Sequence, residues 1–162
     1  MKQPPTDPYG LSLKWLALRE LTERQLRQRL ATRQVPGDSI DEVVRTLQSN
    51  GTLDDRRTAL AAARTDALVK RHGRFRVSQH LAALGIARDL ARRVVQEVFA
   101  EIDEQELLER ALARRLGRTR RLVKDTGEYR KLYGYLVRQG FDPSAVAALL
   151  RERARPVARP EE

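Results

Sequence analysis

One pattern occurs three times in this chain, and it constrains the fold more than any other feature. Val77, Leu81, Ile86, Ala91, Val94 and Val95 form an apolar skeleton with steps of four, five, five, three and one. The same steps recur without a gap at Leu26, Leu30, Val35, Ile40, Val43 and Val44, and again at Leu132, Leu136, Phe141, Val146, Leu149 and Leu150. Repeats at periods of some tens of residues mark arrayed units that stack to bury a shared core. A glycine, Gly85 or Gly140, precedes the third apolar position in two copies, and Gln34 takes that place in the first. Glycine enters the left-handed region without steric penalty and commonly follows a helix C-terminus. Each copy is therefore two helices with a break between them. Ile86 or Phe141 supplies the hydrophobic contact that accompanies such a turn, and Asp142-Pro143 offers an N-cap and a first-turn proline.

A third helical segment precedes each pair, over 10–20, 55–71 and 104–117. Thr22 and Gln25 have the spacing of a capping box at the first pair, and Asp54-Asp55 places negative charge at a helix start. Apolar residues keep helical spacing throughout, with no sustained alternation of period two. The expected fold is all-α, with three tandem three-helix bundle repeats in an elongated array reaching on the order of 60–80 Å. The repeats fall at 10–52, 53–101 and 102–153, between flexible tails at 1–9 and 154–162. Leu81, Ile86, Leu136 and Phe141 belong to the core, and Tyr9 and Trp15 pack the first helix.

Charge is segregated along the chain. Residues 1–55 balance at zero, 56–93 carry +8, 94–109 carry −6, 110–138 carry +8 and 139–162 balance again, giving the net +10. Arginine supplies 27 of the 32 basic residues, and its forked, permanently charged head suits phosphates and carboxylates. A GC-rich genome produces the same bias. Two clusters stand out as partner contacts. The first is Lys70, Arg71, Arg74 and Arg76, with Phe75 among them; the second is Arg110, Arg114, Arg118 and Arg121 at helical steps, followed by Lys124. Nucleic acid, an acidic protein surface, or a solvated face without a partner all fit such runs.

Several chemistries lack their residues. There is no cysteine, hence no disulfide or thiolate site. His72 and His80 are the only histidines and do not have zinc-site spacing. No glycine-rich phosphate loop surrounds Gly117 or Gly127. Adjacent Asp54 and Asp55 read as caps, not as catalytic carboxylates. The expectation is a non-enzymatic protein without cofactor or metal. With no signal-peptide core and no membrane-length apolar run, it is expected to be cytoplasmic and monomeric.

Short motifs then point to a family. Gly51-Thr52-Leu53-Asp54-Asp55-Arg56-Arg57-Thr58-Ala59 resembles the glycine–aromatic–aliphatic–Asp-Asp segment of the bacterial RecX family, regulators of the RecA recombinase. Gly73-Arg74-Phe75-Arg76-Val77-Ser78-Gln79-His80-Leu81 with Leu84-Gly85-Ile86 resembles that family's second-repeat signature, and Leu136-Val137-Arg138-Gln139-Gly140-Phe141 its third. Ala17-Leu18-Arg19 through Thr22, Gln25 and Leu26 is similar to the first. Thr52 departs from the usual aromatic, and Gln34 from the glycine of the other copies. The resemblance spans residues 12–152. It implies a protein that binds the RecA–DNA filament and restrains filament growth, ATP hydrolysis, strand exchange and co-protease activity, with DNA, single- or double-stranded, as a further partner. A stand-alone helix-turn-helix-like DNA-binding protein is the alternative.

Overall fold

The computed structural model describes residues 7–117, 123 and 125–154. Among these lie nine α-helices: α1 (Pro8–Leu18), α2 (Glu23–Thr32), α3 (Gly37–Ser49), α4 (Asp55–Arg64), α5 (Arg74–Ala83), α6 (Arg88–Ala100), α7 (Glu104–Leu116), α8 (Thr126–Arg138) and α9 (Pro143–Arg153). The fold is an all-α repeat array, in which α1, α4 and α7 lead the three triplets. Each leading helix starts or stops close to its expected place. The largest difference lies after α4, where Thr65–Val69 widens into one π-helical stretch in place of a regular helix running to residue 71.

The recurring skeleton is the core. Of its eighteen side chains, all but Val35 are buried, and Val35 packs partly buried against the first cluster with Tyr9, Leu13, Trp15 and Leu16. The turns inside the three copies superimpose bond for bond. Val35, Ile86 and Phe141 donate their N–H groups to the carbonyls of Leu30, Leu81 and Leu136 at 3.2, 3.1 and 3.3 Å. Gln34, Gly85 and Gly140 donate to Ala31, Ala82 and Val137 at 2.8, 3.0 and 2.9 Å. This double closure satisfies the orphan carbonyls at a helix end, and it requires a left-handed residue at its centre. Gln34 adopts that conformation at φ 60°, beside Gly85 at 85° and Gly140 at 92°.

The chain divides into two units, residues 1–62 with 80–94 and residues 63–79 with 95–162, so residues of the middle triplet belong to both. In the first unit α1 packs against α2 and α3. Thr22 is fully buried at the start of α2. Its hydroxyl accepts from Gln25 N–H at 3.2 Å and donates to the Leu84 carbonyl at 2.7 Å, while Gln25 Oε1 accepts from Thr22 N–H at 3.1 Å. The α2 start therefore sits on the turn of the next copy. A Cβ on Gly85 would lie 2.7 Å from Arg24 Cβ.

In the second unit α7, α8 and α9 pack on one another, and the same kind of contact recurs one repeat later. Gly73, just before α5, donates to the Gln139 carbonyl at 2.8 Å, and Phe75 N–H donates to Gly140 at 3.1 Å. A Cβ on Gly140 would lie 2.6 Å from Arg76 Cβ, and one on Gly73 would lie 2.7 Å from Phe141 N. Two glycines thus face each other where backbone meets backbone. Gln34 meets no such demand; its side chain is exposed. Val123 also bridges to Ala154, through an N–H bond to the Arg153 carbonyl at 2.9 Å.

Two substitutions test the combined conformational and steric demand on the docked turn. Gly140→Ala should destabilise by more than about 2 kcal/mol, because it meets both a left-handed backbone and a filled space. Gln34→Gly, which meets neither, should change stability by less than about 1 kcal/mol. Urea unfolding of both variants checks this, and similar values for the two would reject it.

Candidate interaction surface and repeat junctions

The junctions between repeats use charge as well as backbone. Glu23, the first residue of α2, donates its N–H to Asp55 Oδ1 at 2.7 Å, and Asp55 is itself the first residue of α4. In the second unit the corresponding first residues are Arg74 of α5 and Glu104 of α7, and these form an ion pair at 2.5 Å. The position is the same and the chemistry differs, backbone donor in one junction and guanidinium in the other. Burial raises the Asp55 carboxyl above its ordinary range; the bond from Glu23 N–H opposes this, and the charges of Glu23 and Asp54 add to it.

Around the first junction Arg57 forks onto Glu20 at 2.9 and 3.2 Å and also reaches the carbonyls of Gly51 and Thr52 at 2.9 and 3.1 Å. Arg57 N–H caps on Asp54 Oδ1 at 3.0 Å. The Asp-Asp motif is thus a helix start tied to its neighbours. Arg27 bridges Asp41 at 2.5 Å and Glu23 at 2.7 Å, and these bonds, Asp41 first, hold its proton above the usual guanidinium range. Glu20 does the same for Arg57. These pairs are largely exposed, so each contributes little alone.

The basic residues singled out in the sequence fall into separate settings. Lys70 Nζ bonds Asp66 Oδ1 at 2.8 Å, and that carboxylate is almost wholly buried. Arg71 is half-buried and left-handed, φ 59°. The Arg74 head, paired with Glu104, lies 5.0 Å above the Phe99 ring. Arg76 Nη1 donates to the Arg138 carbonyl at 3.0 Å, capping the end of α8. On α7, Arg110 pairs with Glu106 at 2.6 Å across one exposed helical turn, and Arg114 is exposed. Arg118, Arg121 and Lys124 lie outside the described residues.

Sequence reasoning overlooked the π-helical stretch. Ala59, Ala63 and Ala67 form a fully buried stripe at helical steps, while Leu68 and Val69 fall off that stripe and are exposed. Lys70 N–H returns to the Thr65 carbonyl at 3.1 Å and His72 N–H to the Asp66 carbonyl at 3.0 Å. The apolar pair continuing past the stripe, with Asp66 four residues before Lys70, was the available signal. Among the described residues no helix is long and apolar enough to cross a membrane.

Repeated helix triplets joined by capped turns define a class, the three-helix repeat proteins. Two family models match within it, "RecX, first three-helix domain" over residues 9–47 and "RecX, third three-helix domain" over residues 102–150. The regulatory protein RecX of Thermotoga petrophila is 31% identical, covering 90% of this chain and 83% of its own. Regulatory protein RecX of Trichlorobacter lovleyi is 28% identical over 91% of this chain and 96% of its own. The crystal structure of RecX from Lactobacillus salivarius matches with a TM-score of 0.73 at 18% identity, covering 91% of this chain and 94% of that one. The chain belongs to the RecX family.

The Asp55 bond yields a pH test. A raised carboxyl means that the native chain holds this proton more tightly than the unfolded one. Its share of stability therefore falls as pH climbs from about 4 through the raised value. Asp55→Asn keeps an acceptor for Glu23 N–H without the charge, so its stability relative to the unsubstituted chain should improve between about pH 4 and pH 7. Asp55→Ala removes the acceptor as well and should lie about 1–2 kcal/mol below Asp55→Asn at every pH. Urea unfolding across that range decides it, and a flat Asn comparison would reject the pH assignment.

Proposed function

We propose that this chain binds the RecA–DNA filament and restrains its activities, namely ATP hydrolysis, strand exchange and co-protease action. The observation that supports this most is the likeness along nearly the whole chain to proteins named as RecX regulators, with the first and third domains matched in order. A regulator of this kind needs no reacting groups. It needs a surface that engages several sites at once, and a repeat array gains avidity from linked weak contacts. We assign the repeats to 10–52, 53–101 and 102–153 and take the protein to act in the cytoplasm as a monomer.

The exposed cations on α7 favour a second reading, direct binding of DNA, single- or double-stranded. Among the described residues Arg110 is held by an exposed pair one turn away, a bond easily exchanged for a phosphate. With Arg114, and with Arg118, Arg121 and Lys124 beyond, it offers the phosphate contacts of that reading. Lys70, Arg71, Arg74 and Arg76 stay in the filament-facing set as its second cluster.

Purified protein added to RecA assembled on single-stranded DNA should suppress ATP hydrolysis at substoichiometric amounts; unaltered hydrolysis at equimolar protein would reject the filament role. Arg110→Glu with Arg114→Glu should weaken both inhibition and DNA binding and flatten the salt dependence of the latter, with helicity unchanged.

A further inference from the structure

The segment from Asp66 to Arg76 is built to expose apolar side chains, and we propose that it is the anchor by which this chain grips a protein surface, an apolar cleft rimmed by carboxylates. The inference rests on the filament-binding role proposed above and locates its contact on the filament's protein, not on its DNA. Leu68, Val69 and Phe75 are 60, 69 and 58% exposed, although large apolar residues at this density are normally covered. Leu68 and Val69 close the π-helical stretch, and Phe75 lies in the first turn of α5. The bonds from Lys70 N–H to the Thr65 carbonyl and from His72 N–H to the Asp66 carbonyl coil the chain back on itself between Leu68-Val69 and the start of α5.

This geometry is held against its local preferences. A π-helical turn is rare and recurs at functional sites, and a left-handed arginine is disfavoured. Both persist here because a buried carboxylate organises the turn. Asp66 is 1% exposed, its side chain receives Lys70 Nζ, and its carbonyl receives His72 N–H. Strain kept in place by a buried anchor, next to uncovered apolar side chains, marks a surface retained for contact.

The chemistry of the patch selects the occupant. Of the three side chains Phe75 alone offers a ring on which a base could stack, and the two more exposed ones, Leu68 and Val69, offer none. Three of the four nearby cations already have engaged head groups, Lys70 with Asp66, Arg74 with Glu104 and Arg76 with the Arg138 carbonyl. Lys70 and Arg76 serve groups of the fold itself, a buried carboxylate and a helix-end carbonyl, and are less able than Arg110 to follow a phosphate backbone. With Lys70 offset by Asp66 and Arg74 by Glu104, the charges of Arg71 and Arg76 leave a net positive rim beside the apolar side chains. Apolar anchors inside a charged rim are how protein interfaces divide affinity from steering.

The test is co-sedimentation of the full chain with RecA filaments on single-stranded DNA, alongside binding to the same DNA without RecA. Leu68→Ser with Val69→Ser, and separately Phe75→Ser, should each weaken filament binding about ten-fold or more with the salt slope and the DNA affinity unchanged. Circular dichroism melts certify the fold of each variant, and the two variants stand on different helical segments, so loss of one leaves the other. Filament binding equal to the unsubstituted chain overturns the proposal. So does a parallel loss of binding to DNA alone, which would make the patch a nucleic-acid site. If the unsubstituted chain itself does not sediment with the filaments, the filament role fails and takes the anchor with it.

Discussion

A helix start pressed onto a closed helix-to-helix turn joins each repeat to the next, and both partners use their hydrogen-bonding groups in the contact. Thr22 closes the N-terminus of α2 and then gives its hydroxyl proton to Leu84, so a buried polar residue ends with its hydroxyl donating and accepting at once. Gly73 makes the analogous junction with bare backbone, donating to Gln139. Because the approach is that close, nothing larger than hydrogen fits on the turn residue. The turn therefore carries glycine wherever a preceding repeat docks. Gln34 also has a positive φ but an exposed side chain, and there a side chain is tolerated at the usual ~1–2 kcal/mol of left-handed strain.

That distinction explains how much of the fold could be read from the residues. The apolar skeleton was legible because its spacing is fixed by helix geometry and a closed turn, and neither depends on distant chain. Thr22 with Gln25 and Asp142 with Pro143 were legible for the same reason; each cap is a local hydrogen bond. The Gln34 departure looked like a lost feature, yet its meaning lies in a contact that other copies make and it does not. Position in the array, invisible to a local pattern, decides whether a glycine is needed.

The candidate surface was less legible, and the reason is electrostatic. Sequence counts charges but cannot say which of them the fold uses. Arg74 reads as a member of a basic cluster; in the structure it holds the junction with Glu104 and covers the Phe99 ring. Arg76 closes the end of α8, and Arg57 laces the connection before α4. Arginine serves both tasks because its planar fork reaches several acceptors at once. A strongly positive composition thus overstates the charge left free for a partner.

The Asp66 turn shows the converse, where an ion pair on a buried carboxylate sits beside exposed apolar side chains. On a regular helix the stripe of Ala59, Ala63 and Ala67 would continue at residues 70–71, and Leu68 and Val69, one and two positions past Ala67, already lie off it. The widened turn falls where that stripe ends, with Leu68 and Val69 exposed just after the buried Ala67. The break needs a compensating acceptor inside, which Asp66 provides, and a cation to keep that carboxylate paired, which Lys70 provides. Read as composition, Lys70 belongs to a binding cluster. Read as structure, its charge pairs with the buried carboxylate of the turn that precedes it, so the same residue is part of the fold's own bonding.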